Sequence, residues 1–258
     1  MNYINDTHAA QPISATHGYC KACKTSHYLP LDPALPYCRE LMDRLDSSAS
    51  ILLQQETPPD HNLSTKSLFG EARGKMFGVM VARNPDGIHQ VLHAFSGQYN
   101  GLWQVPGWAP PLFNLELFHR IHDAREREIK GITSKLAEIP PQTKQWQTLR
   151  TTRKQLSRKL MQDIFSIYRL RNFRGASISL EKAFIGSGLP TGTGDCCGPK
   201  LLVWAATRQL RPVGMAEFYW GRKNKSGTRK HGVIYPSCAE KCQPLLGFLL
   251  CRSNHDPR

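Results

Sequence analysis

Three separated cysteine positions and one histidine fall within residues 194–242, each beside a turn or a helix start. The stretch opens with Gly194-Asp195-Cys196-Cys197-Gly198-Pro199-Lys200. It closes with His231-Gly232-Val233-Ile234-Tyr235-Pro236-Ser237-Cys238, then Lys241-Cys242. A metal bound by thiolates and imidazole demands about four ligands in a tetrahedron, so such a set constrains a fold more tightly than apolar patterning does. Cys238 and Cys242 stand about one turn apart at a helix start, where their side chains share a face. Cys196 precedes a helix pattern whose free N–H groups favour a thiolate. His231 is the nearest imidazole for the fourth position. The reading is a zinc site made of Cys196, Cys238, Cys242 and His231 that ties the C-terminal half together. The competing reading is three small buried thiols, a common fate of free cysteine.

Charge sets the second constraint. The chain has 258 residues, eight cysteines and a net charge of +14, with mean hydropathy −0.43. A field of that sign attracts polyanions, nucleic acid first among them. No apolar run approaches the roughly 20 residues of a membrane helix, and residues 1–16 lack the apolar core of a secretory signal. The expectation is a cytoplasmic protein away from membranes, whose cysteines are metal ligands or core residues rather than disulfides.

In chain order, residues 1–70 read as an irregular leader followed by one helix over 36–53. Cys20-Lys21-Ala22-Cys23 is a C-x-x-C with Cys38 downstream, and His17 or His27 would have to complete a ligand set. With no second C-x-x-C nearby, a leader with incidental cysteines is the simpler reading. Residues 71–258 form the main α+β unit. Residues 76–95 read as a hairpin around Asn84-Pro85-Asp86-Gly87. Trp103 and Trp108 sit in a Pro/Gly-rich loop and are expected to pack over the sheet. Residues 115–139 and 143–168 carry apolar positions at steps of three and four, separated by Pro140-Pro141, which predicts an antiparallel helical hairpin inserted at about 115–172. The second helix has a basic outer face of Arg150, Arg153, Lys154, Arg158 and Lys159 with few acids between them. Residues 221–230 add Arg222, Lys223, Arg229 and Lys230. These nine residues are the expected RNA contacts. A glycine-rich loop over 186–194 feeds the next helix, but the spacing of a phosphate-binding loop is absent. Residues 213–220 read as a central strand interrupted by Glu217, either an edge residue or a functional group. Residues 238–250 read as the last helix, with Pro244 breaking or kinking it.

Three resemblances bear on function. Arg44-Leu45-Asp46 resembles the signature of pseudouridine synthases, in which the aspartate is catalytic. Ala49 and Ile51 replace the usual threonine and glycine, and Asp46 reads better as a solvated helix residue. The order of strands, helices and cysteines over 76–250 resembles the zinc nucleoside and nucleic-acid deaminases, which add a glutamate that moves protons. Here Gly198 stands where that glutamate is expected, two residues after Cys196. Finally, Gly74-Lys75-Met76-Phe77-Gly78-Val79-Met80-Val81, Ala94-Phe95-Ser96-Gly97, Pro106-Gly107-Trp108-Ala109-Pro110-Pro111, Gly194 to Leu202, Met215 to Gly221 and His231 to Cys242 occur in order. Together they are similar to the long N-terminal extension of certain bacterial ribosomal and transfer RNA pseudouridine synthases. In those proteins the synthase domain follows the extension. The resemblance implies an RNA-modification context without a catalytic synthase domain in these residues.

The expectation is therefore an α+β protein with a mixed sheet flanked by helices, in a deaminase-like order, and an inserted helical hairpin. Its expected role is a zinc-stabilised module that binds ribosomal or transfer RNA, non-catalytic itself and working with an RNA-modifying enzyme in trans. The alternative is a divergent zinc-dependent nucleobase or nucleotide deaminase.

Overall fold

The computed structural model describes residues 15–54 and 60–253. The stretch read as an irregular leader holds an antiparallel hairpin, β1 (Ala15–Cys20) with β2 (Thr25–Pro30). Its turn contains the C-x-x-C, and Lys24 takes φ 57° there while its N–H donates to the Cys20 carbonyl at 2.8 Å. Helix α1 (Leu35–Ser48) follows. It is shorter than the expected 36–53 because Ala49 adopts a left-handed φ of 48°. The Thr57-Pro58-Pro59 breaker lies outside the described residues.

The main sheet is built as its hydrophobic pattern requires. Strands β3 (Lys75–Arg83) and β4 (His89–Phe95) pair antiparallel across the predicted turn. Gly87 takes φ 83° in that turn, and the Asn84 side chain accepts the Ile88 N–H at 2.8 Å. Two long helices come next, α2 (Leu115–Glu138) and α3 (Lys144–Ile167). Asn114 and Thr143 cap them, accepting the N–H groups of Leu117 and Trp146. Burial is confined to the base of this hairpin, at Phe118, Leu160, Ile164 and Phe165, so the hairpin projects as expected. A small ribbon, β5 (Arg169–Arg171) with β6 (Ser177–Ser179), and the single turn α4 (Leu180–Ala183) lead into the glycine loop. Then come α5 (Cys197–Thr207), β7 (Arg211–Trp220), β8 (Val233–Tyr235) and α6 (Gln243–Leu249).

The sheet order is β4-β3-β7-β8. The α+β class holds, but the sheet is antiparallel throughout rather than mixed. The chain enters β7 opposite the Arg83 end of β3 and leaves it opposite Lys75, and β8 folds straight back on β7. The pairing slips by one residue at Val81/Ala82, where Pro212 has no N–H to give the ladder. Both faces are covered. Met80, Ala82, Leu92, Ala94 and Met215 pack with α5, α6 and the base of the helical hairpin. Phe77, Val79, Val81, Phe95, Ala216 and Phe218 pack with α1 and Trp108. Trp108 Nε1 donates to the Ile51 carbonyl at 2.9 Å, and the Trp103 ring meets Phe113 at 5.0 Å, so both tryptophans pack as expected. Helix α6 is shorter than the expected 238–250: Pro244 starts it rather than kinking it, and Cys242 is its N-cap.

His93 of β4 lines a cleft against α1 together with Glu40 and Arg44, with its ring 5.8 Å from Trp108. Burial, and secondarily Arg44, pushes its pKa from 6.5 to about 4. The folded value is the depressed one, so its contribution is intact above about pH 6.5. It is lost as pH falls toward 4, up to about 3 kcal/mol. Urea midpoints of wild type should fall across that window, and those of His93→Gln should stay flatter. Parallel pH profiles would refute this assignment.

Candidate functional site

The three thiols of Cys196, Cys238 and Cys242 converge, with ligand atoms all within 4.8 Å of one another. Cys238 Sγ stands 3.3 Å from Cys242 Sγ and 4.0 Å from Cys196 Sγ. Each position has a local cause. Cys196 is the N-cap of α5, held in extended geometry by the turn through Gly192 and Gly194, both at positive φ. Cys238 and Cys242 lie on one turn ahead of α6, closed by the Cys242 N–H donating to the Cys238 carbonyl at 3.2 Å. The trio shares its protons unevenly. Contact with Cys196, then Cys242, holds the Cys238 thiol well below its usual range. Cys196 is pushed up first by Cys238 and then, against its contact with Cys242, by burial, and Cys242 is pushed up by Cys196, Cys238 and burial. Three soft sulfur donors in such contact are the chemistry of a metal-binding site.

His231 is not a member. Its Nδ1 accepts the Gly221 N–H at 3.1 Å, and its ring lies 4.1 Å from Trp220 and 5.2 Å from Phe69. It sits past the last β7–β8 pair, Tyr219 with Val233, where two aromatic rings hold it. Two further cysteines are core residues. Cys197 donates to the Met76 carbonyl at 3.3 Å, and Cys38 to the Ala216 carbonyl at 3.8 Å. Burial pushes the Cys38 thiol up to about 12.

Glu217 belongs to this site. It faces the α5 side of β7, paired with Gly78. A Cβ at Gly78 would sit 2.6 Å from Cys197 Cβ, so the missing side chain lets the start of α5 approach the sheet. A Cβ on Gly198 would lie 3.1 Å from Glu217 Oε1, which the Ser237 hydroxyl meets with a hydrogen bond of 3.0 Å. The carboxylate thus fills the space beside the residue two past Cys196 and the residue just before Cys238. Burial raises its pKa to about 7 against the stabilising Ser237 and Gly198 hydrogen bonds. The sequence signal for it was a lone acid in an otherwise apolar strand. Asp195 does something else: it accepts the Tyr168 hydroxyl at 2.6 Å and its backbone carbonyl accepts the Gly97 N–H. Lys200 turns away from the glycine loop, donating to the Phe95 and Gly97 carbonyls at 3.0 and 2.9 Å. Burial lowers its pKa to about 8.

Among the described residues a second group could hold a metal: Cys20, Cys23, His27 and Cys251. Sequence spacing had placed the first three in a leader and left out the fourth.

The predicted basic surfaces lie in two places. Arg150, Arg153, Lys154 and Arg158 line an open groove of about 770 Å³ between α3 and the glycine loop, with Phe184 and Leu189 on its far wall. Lys159 instead pairs with Asp163 at 2.7 Å. The 221–230 loop is folded by Asn224, whose side chain meets Ser226, Thr228 and the Arg229 N–H. Arg229 lies over the Tyr235 ring at 4.3 Å, and the Lys230 N–H donates to the Tyr235 hydroxyl. Tyr235 pairs with Glu217, which brings this patch beside the three thiols. Arg222 reaches Glu71 at 3.2 Å, and Lys223 is exposed. Asp46 is exposed on α1. No helix of the described residues is long and apolar enough to cross a membrane. Comparison with protein-family models, curated proteins and solved structures gives no match in any of the three.

Proposed function

We propose that this chain is a zinc-stabilised RNA-binding module serving RNA modification, with ribosomal or transfer RNA as its partner. The observation that carries the reading is the groove in which Arg150, Arg153, Lys154 and Arg158 face a glycine-rich, partly aromatic wall. Cations along one side suit a phosphate backbone, and the apolar wall suits an unstacked base. The Arg229 patch extends the positive surface toward the thiol cluster. The similarity to pseudouridine synthase extensions supplies the context, with the modifying enzyme acting in trans. The three-thiol donor set favours zinc over harder cations.

The binding test is a salt titration with a single-stranded RNA probe. The Arg153→Ala/Arg158→Ala variant should bind more weakly, and its log–log salt slope should shrink by about 0.7 for each phosphate the protein no longer neutralises. Lys159→Ala should do less, since Asp163 already holds that ammonium. Equal affinity and slope for wild type and the double variant would remove the groove from the RNA reading.

A second reading is favoured by Glu217: a divergent zinc-dependent deaminase acting on a nucleobase. A metal held by Cys196, Cys238 and Cys242 would supply an activated water for hydrolytic attack on a ring carbon. In that reading Glu217, oriented by the Ser237 hydroxyl, would hold and move the proton at its carboxylate. The glutamate comes from β7 instead of α5, and Gly198 makes the room for it.

A further inference from the structure

We infer that Cys20, Cys23, His27 and Cys251 form a second zinc centre, closed and structural, that clamps the N-terminal hairpin to the C-terminal turn. Their four ligand atoms all lie within 4.8 Å of one another, and Cys23 Sγ is 3.0 Å from Cys251 Sγ. Four soft donors fill a tetrahedron, which leaves no position for substrate. In this it differs from the three-thiol group beside Glu217.

The backbone builds this site before any metal arrives. Helix α6 lies directly against β1, glycine to glycine. A Cβ on Gly247 would overlap the Tyr19 carbonyl, and one on Gly18 would reach the backbone of Leu246 and Gly247. That approach brings the turn after α6, closed by the Cys251 N–H donating to the Phe248 carbonyl, up to the turn of the β1–β2 hairpin. The hairpin turn presents Cys20 and Cys23 through the left-handed Lys24, and β2 returns His27 opposite Gly18. Gln243 at the other end of α6 meets His17 at 2.8 Å, which fixes the hairpin's direction. Arg174, from the loop between β5 and β6, donates to Cys23 Sγ at 3.8 Å, an arrangement suited to a sulfur carrying negative charge. Packing on α6 sets the hairpin in place, and a metal cross-link spanning 228 residues of chain would lock it there.

The test is metal content by elemental analysis of the full chain purified under reducing conditions. Wild type should carry two zinc ions, and Cys251→Ser and Cys238→Ser one each. A count unchanged by Cys251→Ser would overturn the proposal. A wild-type count of one, abolished by Cys251→Ser and untouched by Cys238→Ser, would keep this centre and sink the three-thiol one. If Cys251→Ser does not fold, His27→Cys keeps four ligands. Its cobalt-substituted form should show a ligand-field band shifted toward that of a four-thiolate site. An unshifted spectrum would show that His27 is no ligand.

Discussion

If the three thiols hold the proposed zinc, Cys238→Ser is expected to lose that ion and, with it, the dependence of its melting temperature on zinc at that centre. Cys238 is the residue on which the trio turns, because its sulfur stands 3.3 Å from that of Cys242 and 4.0 Å from that of Cys196. A ligand that binds only the folded state adds about 4 kcal/mol when its free concentration is 1,000 times its Kd, and removing the thiolate forfeits that stabilisation. The comparison that isolates the metal is Cys197→Ala. Cys197 is the immediate neighbour of Cys196 and fully buried, yet its sulfur meets the Met76 carbonyl. It should cost on the order of 1 kcal/mol as a small core truncation and leave the zinc count untouched. Melts with and without added zinc, on both variants, separate the two cases. A Cys238→Ser protein that still gains stability from zinc at this centre would return the three thiols to the core.

What could be read in the sequence follows from how far each signal reaches. The β3–β4 hairpin and the α2–α3 hairpin were legible because turn, cap and apolar period are local. Asn84 to Gly87 made the first, and Pro140-Pro141 with Thr143 made the second. The three-thiol group was legible because Cys196, Cys238 and Cys242 each sit at a predicted turn or helix start. Its fourth member was misjudged because nearness in sequence stood in for nearness in space. His231 is held by Trp220 and Phe69, and Glu217, a neighbour of the thiols rather than a ligand, approaches through a strand pairing and a glycine contact that no spacing rule encodes. The hairpin cluster was invisible for the same reason. Its C-x-x-C was plain, but the ligand that completes it comes from the opposite end of the chain, brought there by Gly18 and Gly247. Nothing local to either glycine marks it for that close approach of strand and helix.

Glu217→Gln separates a binding module from a catalyst with the fewest changes. Glutamine keeps the shape, accepts the Ser237 hydroxyl through its amide oxygen, and cannot carry a proton between water and amine. Both readings expect the zinc count of the three-thiol group to survive, since no ligand is touched. They part at turnover. If the centre deaminates a base, ammonia release from cytosine- or adenine-containing RNA should fall by roughly 10²–10⁴-fold while RNA affinity and the zinc count hold. Glu217→Asp, one methylene shorter, should fall nearly as far, because the carboxylate no longer reaches the space beside Gly198. If the centre is structural, wild type releases no ammonia above the metal-free protein. Glu217→Gln should then be as stable as wild type or more so, because it replaces a buried carboxylate, whose pKa burial has already raised to about 7, with a neutral group of the same volume. A variant that gains stability, keeps its zinc and loses nothing measurable would place Glu217 in the scaffold and leave the Arg150–Arg158 groove as the working surface of the protein.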